Sequence, residues 1–311
     1  MAQLKQAQHD QLVQEPAPAL ERQVIAPDKG QKLMRWLAWA GNHLLIVALS
    51  LLFALPFIWM LATSLKTDEQ IYRVPPVWIP DPIRWLNYPE ALTYVPFGLY
   101  FLNTIKYGLL TTIGATLSSA FIAYGFSRIR WRGRNVLFFL VLATMMIPFQ
   151  VRMIPLYLIF HRLGWLNTYL PLIVPAFMGS AYFIFMLRQF FMTIPMEISD
   201  AALIDGANEV TILWEIILPL AKPALAVVAL FQFMDAWNDY LGPLIYLRDQ
   251  SKFPIAMGLE QMRAHSMSVD IPLLWPRLMA ASAVITIPIV LLYFFTQRIF
   301  VEGIALSGVK G

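Results

Sequence analysis

A small set of polar side chains interrupts the long apolar stretches of this 311-residue chain, and these are the first candidates for chemistry. Asp235, Asn238 and Asp239 are three and four positions apart, a spacing that puts all three on one face of a helix. Carboxylate and amide groups are expensive inside a membrane, so by default they line a cavity or pair with each other. The set is consistent with a pathway for a polar solute. It is equally consistent with a structural role, either as a hydrogen-bonded network or as the water-exposed outer end of a helix. Its members are Asn103, Gln150, Gln232, Asp235, Asn238 and Asp239.

A second polar segment, residues 192–222, has the pattern of two short helices separated by a turn. Pro195 can occupy the first turn of a helix, where its missing N–H is not needed. Gly206 permits the left-handed turn that ends that helix, and a helical pattern resumes at Asn208 until prolines break it before Ala224. The two small alanines before the glycine allow another protein surface to approach the backbone. The alternative is an ordinary amphipathic connector.

The sequence contains no pattern for nucleotide binding or for covalent or metal catalysis. No Gly-x-x-x-x-Gly-Lys-Ser/Thr loop, Gly-x-Gly-x-x-Gly turn or Gly-x-Ser-x-Gly elbow occurs. The chain has no cysteine, and its four histidines are scattered without the spacing of metal ligands. We therefore predict a protein that is not an enzyme and that holds no metal and no cofactor.

The composition indicates an integral membrane protein. Soluble domains average about 25% charged residues, whereas this chain has 14% charged and 59% hydrophobic residues and a mean hydropathy of +0.60. The net charge of +4 fits lysines and arginines that flank membrane spans better than a nucleic-acid partner. We predict a largely disordered cytoplasmic tail at residues 1–40 and a membrane domain at 41–311.

The membrane domain is predicted to be all-α, because a bilayer core about 30 Å thick needs about 20 apolar helical residues. Six stretches meet or approach that length. The residues that follow the short third stretch, Val151–Trp165, are typical of an amphipathic helix in the interface and not of a seventh span. The six predicted spans are Gly41–Ser64, Tyr100–Phe126, Asn135–Gln150, Tyr169–Phe191, Pro223–Leu241 and Leu278–Ile299.

Four arginines between the second and third spans decide the predicted orientation. They lie within Arg128–Arg134, and basic residues in short loops favour the cytoplasmic side. That puts both termini and the 192–222 segment inside. Residues 66–99, the outer segment, then lie outside, and their many prolines exclude a long helix there.

A stripe of small residues in the second span, each four apart, predicts close packing against another helix. These residues are Thr111, Ala115, Ser119 and Ala123.

The 192–222 segment resembles the "EAA loop" of permease subunits in binding-protein-dependent ATP-binding-cassette importers. The matching pattern is acid-Ala-Ala, three residues, Gly206, nine residues and then Ile-x-Leu-Pro at 216–219. The resemblance extends over residues 41–311 and is closest to carbohydrate-type permeases, in particular the shorter, six-span kind found in maltose systems. Further matches are Asn103-Thr104, Pro148, Pro155, Trp237-Asn238, Gly303 and residues 308–311. The chain departs from the family at Asp200, where a glutamate is usual.

The resemblance implies a type I importer membrane domain with six transmembrane helices in the cytoplasmic (inner) membrane. Its function would be to translocate a sugar or related polyol, driven by a motor that the chain does not contain. The implied partners are two ATPase subunits, a second, homologous permease, an extracytoplasmic solute-binding protein and membrane lipid, with no nucleic acid. The 192–222 segment would be the cytoplasmic element that docks into an ATPase. The implied docking residues are Glu197, Asp200, Ala201, Ala202, Asp205, Gly206, Leu218 and Pro219.

Other functions remain open from the sequence. Permeases for glycerol-phosphate or another non-sugar solute look alike at this level. An ion-driven secondary transporter predicts internal repeats and paired charges at the midplane, and no convincing repeat is present. A membrane-embedded enzyme needs an inward-facing constellation of His, Ser or carboxylates, which the sequence does not show.

Overall fold

The computed structural model describes residues 29–266 and 275–308, and the regular elements among them are helices. The chain divides into two compact units, Met1–Pro56 and Phe57–Gly311. The elements in chain order are α1 Lys29–Ser64, α2 Asp68–Ile71, α3 Asn87–Tyr94, α4 Phe97–Ser127, α5 Arg134–Thr144, α6 Phe149–Arg162, α7 Leu170–Ile173, a 3-10 helix Val174–Met178, α8 Ala181–Thr193, α9 Met196–Ile204, α10 Glu209–Thr211, a π-helix Ile212–Ile217, α11 Leu218–Leu220, α12 Lys222–Asn238, α13 Leu241–Tyr246, a 3-10 helix Gln250–Lys252, α14 Ile255–Ser266 and α15 Trp275–Gly308.

Four helical stretches in the described residues are long and apolar enough to cross a membrane, and there are up to six if each of two bent pairs counts as one span. The predicted six spans correspond to that upper count. The four are Leu33–Ser64, Phe97–Ser127, Leu170–Thr193 and Trp275–Gln297; the pairs are Arg134–Thr144 with Phe149–Arg162, and Glu209–Leu220 with Lys222–Asn238.

Two predicted boundaries are wrong. The first helix begins at Lys29, so the last part of the predicted 1–40 tail is helical, while residues 1–28 lie outside the described residues. The third span was predicted to reach Gln150, but its helix α5 ends at Thr144. The chain then bends by 95° into α6, because Pro148 lies between them and disfavours helical backbone in the residue before it. Helix α6 covers most of the stretch that was predicted to be an interfacial helix.

Helix α4 is the central packing element of the larger unit and contacts both α8 and α12. Its small-residue stripe is buried, as the four-residue spacing predicts: Thr111 is 3% exposed and Ala123 is fully buried. The absence of large side chains along that face lets neighbouring helices come close. Helix α4 thus packs in the middle of the larger unit, between α8 and α12.

An ionic network holds the outer segment against the start of α15. Arg277 Nε lies 2.5 Å from a carboxylate oxygen of Glu90, and Arg84 lies 2.9 Å from the other oxygen of that carboxylate. Asp68 also lies close to both arginines, 3.7 Å from Arg84 and 3.4 Å from Arg277. The paired guanidinium of Arg277 holds the pKa of Glu90 below its usual value of 4.5. The two short helices of this segment, α2 and α3, agree with the prediction that its prolines exclude a long one.

Candidate functional site

The 192–222 segment folds as two helical pieces with a sharp turn at Gly206. Helix α9 begins directly after Pro195, and Gly206 has a positive φ of 87°. The amide of Gly206 donates to Leu203 O, and the amide of Ala207 donates to Ala202 O at 2.9 Å. This pair of bonds closes the end of α9 as a Schellman motif, which needs a left-handed residue at the glycine position.

The second piece of the segment starts with a capped helix. The side-chain oxygen of Asn208 accepts a hydrogen bond from the amide of Thr211 at 2.9 Å, which satisfies an N-terminal amide that has no partner in the helix. Ile212, Leu213 and Ile217 of the π-helix are buried in the hydrophobic core. These buried residues fix the second piece to the bundle, whereas most residues of α9 are exposed. The chain then bends by 80° at the break between α11 and α12.

Most of the residues assigned to docking form an exposed surface. Ala202 is partly buried because it packs against the hydrophobic core, whereas Ala201 is exposed. Leu218 is 8% exposed and belongs to the core, so the structure does not place its side chain on this surface. The exposed members are Glu197, Asp200, Ala201, Asp205, Gly206 and Pro219.

Exposed apolar side chains alternate with these residues along the 192–222 segment, and sequence reasoning missed them. Ile204, at the end of α9, is 86% exposed, and Val210 is 64% exposed. Large apolar side chains exposed together commonly mark a protein interface. We use the name docking surface, for a role that stays a prediction, for the exposed residues above together with Ile198, Leu203, Ile204, Val210 and Trp214.

The C-terminal end of α4 holds both pieces of the segment. The Tyr124 hydroxyl donates to a carboxylate oxygen of Glu209 at 2.5 Å. The guanidinium of Arg128 donates to Pro195 O at 3.3 Å and contacts the sulfur of Met196 at 3.0 Å. Burial lowers the pKa of Arg128, which is 5% exposed, because removal from water disfavours the charged form. Helix α4 thus contacts the start of α9 and the start of α10.

A cavity of about 550 Å³ lies toward the other end of α4 and α12, and we call it the acidic cavity. Its lining includes Tyr107 of α4 with Gln232, Asp235, Asn238 and Asp239. The structure therefore brings together four of the six candidate pathway residues. No lysine or arginine is among the described residues that line it.

The prediction that Asp235, Asn238 and Asp239 share one helix face is partly wrong. Helix α12 ends at Asn238, and Asp239 follows it with extended backbone angles, φ −69° and ψ 112°. Its carboxylate accepts a hydrogen bond from the amide of Gly242 at 3.0 Å. The turn between α12 and α13, and not a shared helix face, directs Asp239 into the cavity.

The other two pathway candidates lie elsewhere. The amide of Asn103 donates to the carbonyls of Ser251 and Phe253, at 2.9 Å and 3.1 Å, so it fixes the chain before α14. Gln150 is exposed near the start of α6. The part of the chain that the structure describes contains no cluster of three His, Cys, Asp or Glu side chains that could hold a metal ion.

Comparisons with known proteins give one consistent result. A family model described as "Binding-protein-dependent transport system inner membrane component" matches residues 115–305. This range contains the 192–222 segment and the carboxylates of the acidic cavity.

Three similar proteins are named for different solutes. The chain is 31% identical to the arabinooligosaccharides transport system permease protein AraQ of Halalkalibacterium halodurans, over 91% of this chain and 99% of that protein. It is 35% identical to the sn-glycerol-3-phosphate transport system permease protein UgpE of Yersinia pestis, over 84% and 94%. It is 32% identical to the diacetylchitobiose uptake system permease protein NgcG of Streptomyces coelicolor, over 83% and 85%.

The fold is also similar to a solved structure. A chain from the crystal structure of a bacterial ABC transporter involved in the import of the acidic polysaccharide alginate matches with a TM-score of 0.72 and 26% identity. The match covers 88% of this chain and 98% of that chain. The similarity therefore extends over nearly the whole membrane domain.

Proposed function

The chain belongs to the family of binding-protein-dependent transport system inner membrane components, and from this premise we propose how it takes part in import. It is a multi-pass permease subunit of an ATP-binding-cassette importer. Its role is to form one wall of the solute pathway and to receive the motion of an ATPase at the 192–222 segment. The observation that carries the proposal is that one helix, α4, contacts that segment at one end and lines the acidic cavity with Tyr107 and Thr111.

The proposed partners follow from these two roles, forming one wall of the pathway and receiving the motion of an ATPase. Two ATPase subunits supply the energy, because no phosphate-binding loop is present in this sequence. A second, homologous permease supplies the opposite wall of the pathway, and an extracytoplasmic solute-binding protein delivers the solute. The orientation that fits these roles places the docking surface, both termini and Arg128–Arg134 in the cytoplasm. Alternating access is then a rigid-body movement of the two permeases.

For the solute, we propose an uncharged sugar or related polyol. The relatives include a permease named for sn-glycerol-3-phosphate, so a phosphate ester is the competing class. The acidic cavity contains Asp235 and Asp239 without a neighbouring lysine or arginine among its described lining. Like charges facing each other are unfavourable, whereas carboxylates and amides accept and donate hydrogen bonds to hydroxyl groups. This wall favours a neutral polyhydroxyl solute over an anion.

The docking role can be tested with a charge on the exposed apolar part of the docking surface. Ile204→Glu alters a side chain that is 86% exposed, so the change adds a charge to the interface without disturbing the core. We expect the ATPase to be lost on co-purification and uptake to fall by at least about 10-fold, as for a residue central to an interface. Ile79→Glu is the matched control, because Ile79 is 82% exposed on the outer segment. If Ile204→Glu keeps both the bound ATPase and full uptake, the segment is an ordinary connector.

A further inference from the structure

A second cavity, of about 330 Å³, lies where α1 ends and the outer segment begins. Its lining includes Trp59 and Thr63 from the end of α1, Lys66 just after it, Gln70 from α2, and Trp275 at the start of α15. No carboxylate is among the described residues that line it. The cavity belongs neither to the acidic cavity nor to the docking surface.

Among the residues that the structure describes, the buried cation in this cavity has no ion-pair partner. Lys66 is 2% exposed, and its ammonium donates one hydrogen bond, to the Thr63 hydroxyl at 3.3 Å. The ammonium also lies 3.8 Å from the centroid of the Trp59 ring. An ammonium has three donors, so two remain for a ligand. Burial lowers the pKa of Lys66, because removal from water disfavours the charged form.

The backbone around Lys66 is fixed, so the side chain cannot easily withdraw to solvent. The fully buried amide of Asn87 donates to Ser64 O at 2.9 Å and to Lys66 O at 2.8 Å. The amide of Arg84 donates to the carbonyl between them, Leu65 O, at 2.8 Å. Three consecutive carbonyls are thus held by α3 and the turn before it. A buried charge kept in place without a counter-charge is costly unless a ligand supplies one.

The surroundings of the cavity indicate a lipid as the source of the anion. The cavity lies directly after a helix that is apolar enough to cross a membrane and ends at Ser64. Large apolar side chains are exposed beside it, among them Val74 at 93% and Trp78 at 54%. Tryptophan side chains are enriched where a membrane meets water, and lysine side chains there reach toward headgroups. A soluble anion would not require such an apolar rim.

We propose that this cavity binds the phosphate of a phospholipid headgroup, with Lys66 as the cation, Trp59 and Trp275 beside the headgroup, and the exposed side chains of Val74 and Trp78 along the acyl chains. The lipid phosphate supplies the negative charge that the cavity lacks. Binding at this position joins the end of α1, the outer segment and the start of α15.

The test uses the full-length protein in detergent and follows its thermal unfolding while short-chain lipids are added. Dihexanoyl-phosphatidylglycerol should raise the melting temperature in a saturable way, because a ligand that binds the folded state stabilises it. Neutral dihexanoylglycerol and inorganic phosphate at the same concentrations should not. Lys66→Met nearly keeps the length of the side chain and removes its charge. It should raise the apparent Kd for the lipid by at least about 10-fold, as expected when a hydrogen bond from a charged group is lost. Lys66→Arg should retain binding.

Arg73→Met is the matched control, since Arg73 is an exposed cation on the same segment that does not line the cavity. It should bind the lipid as the unaltered protein does. An equal loss in Arg73→Met, or unchanged affinity in Lys66→Met, overturns the proposal. Equal stabilisation by inorganic phosphate would assign the site to a small anion instead of a lipid, and equal stabilisation by dihexanoylglycerol would make it an apolar site. These two comparisons use the unaltered protein and so remain decisive if Lys66→Met does not fold.

Discussion

The Tyr124 hydroxyl donates a hydrogen bond to the Glu209 carboxylate, 2.5 Å away, and so joins residues 85 positions apart in the sequence. Four residues further on, Arg128 reaches Pro195 O. Both pieces of the 192–222 segment are therefore attached to the same end of α4. Tyr107, on the same helix, donates to Ala236 O and lines the acidic cavity. A displacement of the docking surface can thus reach the cavity through one helix.

Tyr124→Phe should weaken this connection while keeping the buried ring. The lost hydrogen bond is worth on the order of 1 kcal/mol, because water can reach the exposed Glu209 and replace the hydroxyl. We expect the ATPase to remain bound but ATP hydrolysis to be less tightly coupled to uptake, measured in reconstituted vesicles. Glu209→Gln is the control, because it keeps an oxygen that can accept from Tyr124. Equal coupling in Tyr124→Phe and the unaltered protein would show that this hydrogen bond is not part of the transmission.

Gly206 allows a test of the turn that is free of steric effects within the permease chain itself. Its φ is 87°, and no atom lies within 4 Å of the position that a Cβ would take. Gly206→Ala should therefore cost only the left-handed backbone, about 1–2 kcal/mol, and Gly206→Val more because of its branched side chain. Gly206→Asn should be tolerated best, because asparagine adopts this conformation readily. The measurement is ATPase co-purification and uptake for the three variants, and the same loss in all three would contradict a role of the turn.

Parts of this site could be predicted from local sequence because the physics is local. The left-handed turn at Gly206 follows from a glycine after a short helix, and the burial of Thr111 and Ala123 follows from four-residue spacing. The contact of Tyr124 with Glu209 could not be predicted, since no local signal pairs residues 85 positions apart. The end of α12 before Asp239 was also missed, because three polar residues at helical spacing give no sign of where the helix stops.

The ionic network of the outer segment predicts a pH-dependent stability. The folded-state pKa of Glu90 is lowered, first by its hydrogen bond to Arg277, so its stabilising contribution is complete above the ordinary value of 4.5 and is lost as pH falls through the lowered folded value. Glu90→Gln should therefore lower the melting temperature at neutral pH, and the difference should shrink below about pH 4. Glu69→Gln, an exposed change on the same segment, is the control. A difference that stays constant with pH would exclude this ion pair as its cause.

The proposed orientation can be measured directly because the chain has no cysteine. Arg132→Cys and Arg73→Cys each introduce one thiol at an exposed position, the first in the arginine-rich loop and the second in the outer segment. In intact cells, a membrane-impermeant thiol reagent should label the variant at position 73 and not the variant at position 132. Permeabilised cells should give labelling of both. The reverse pattern in intact cells would overturn the orientation and, with it, the cytoplasmic docking surface.

The acidic cavity gives two separable predictions for transport, one for hydrogen bonding and one for charge. Asn238 lines the cavity and donates to Met234 O at 2.8 Å. Asn238→Leu keeps the number and branching of the side-chain heavy atoms but has no polar group, so it should lower uptake of a neutral sugar while the complex still assembles, whereas Asn238→Gln should retain uptake. Asp235→Asn keeps the shape of the side chain and removes one negative charge. Because a nearby like charge costs about 1 kcal/mol at a partly solvated site, the ratio of glycerol-phosphate uptake to neutral-sugar uptake should rise on the order of 5-fold. Competition between arabinotriose, diacetylchitobiose and glycerol-phosphate in cells that carry each variant measures that ratio. If Asn238→Leu transports normally and Asp235→Asn leaves the ratio unchanged, the solute does not pass this wall, and the carboxylates have a structural role.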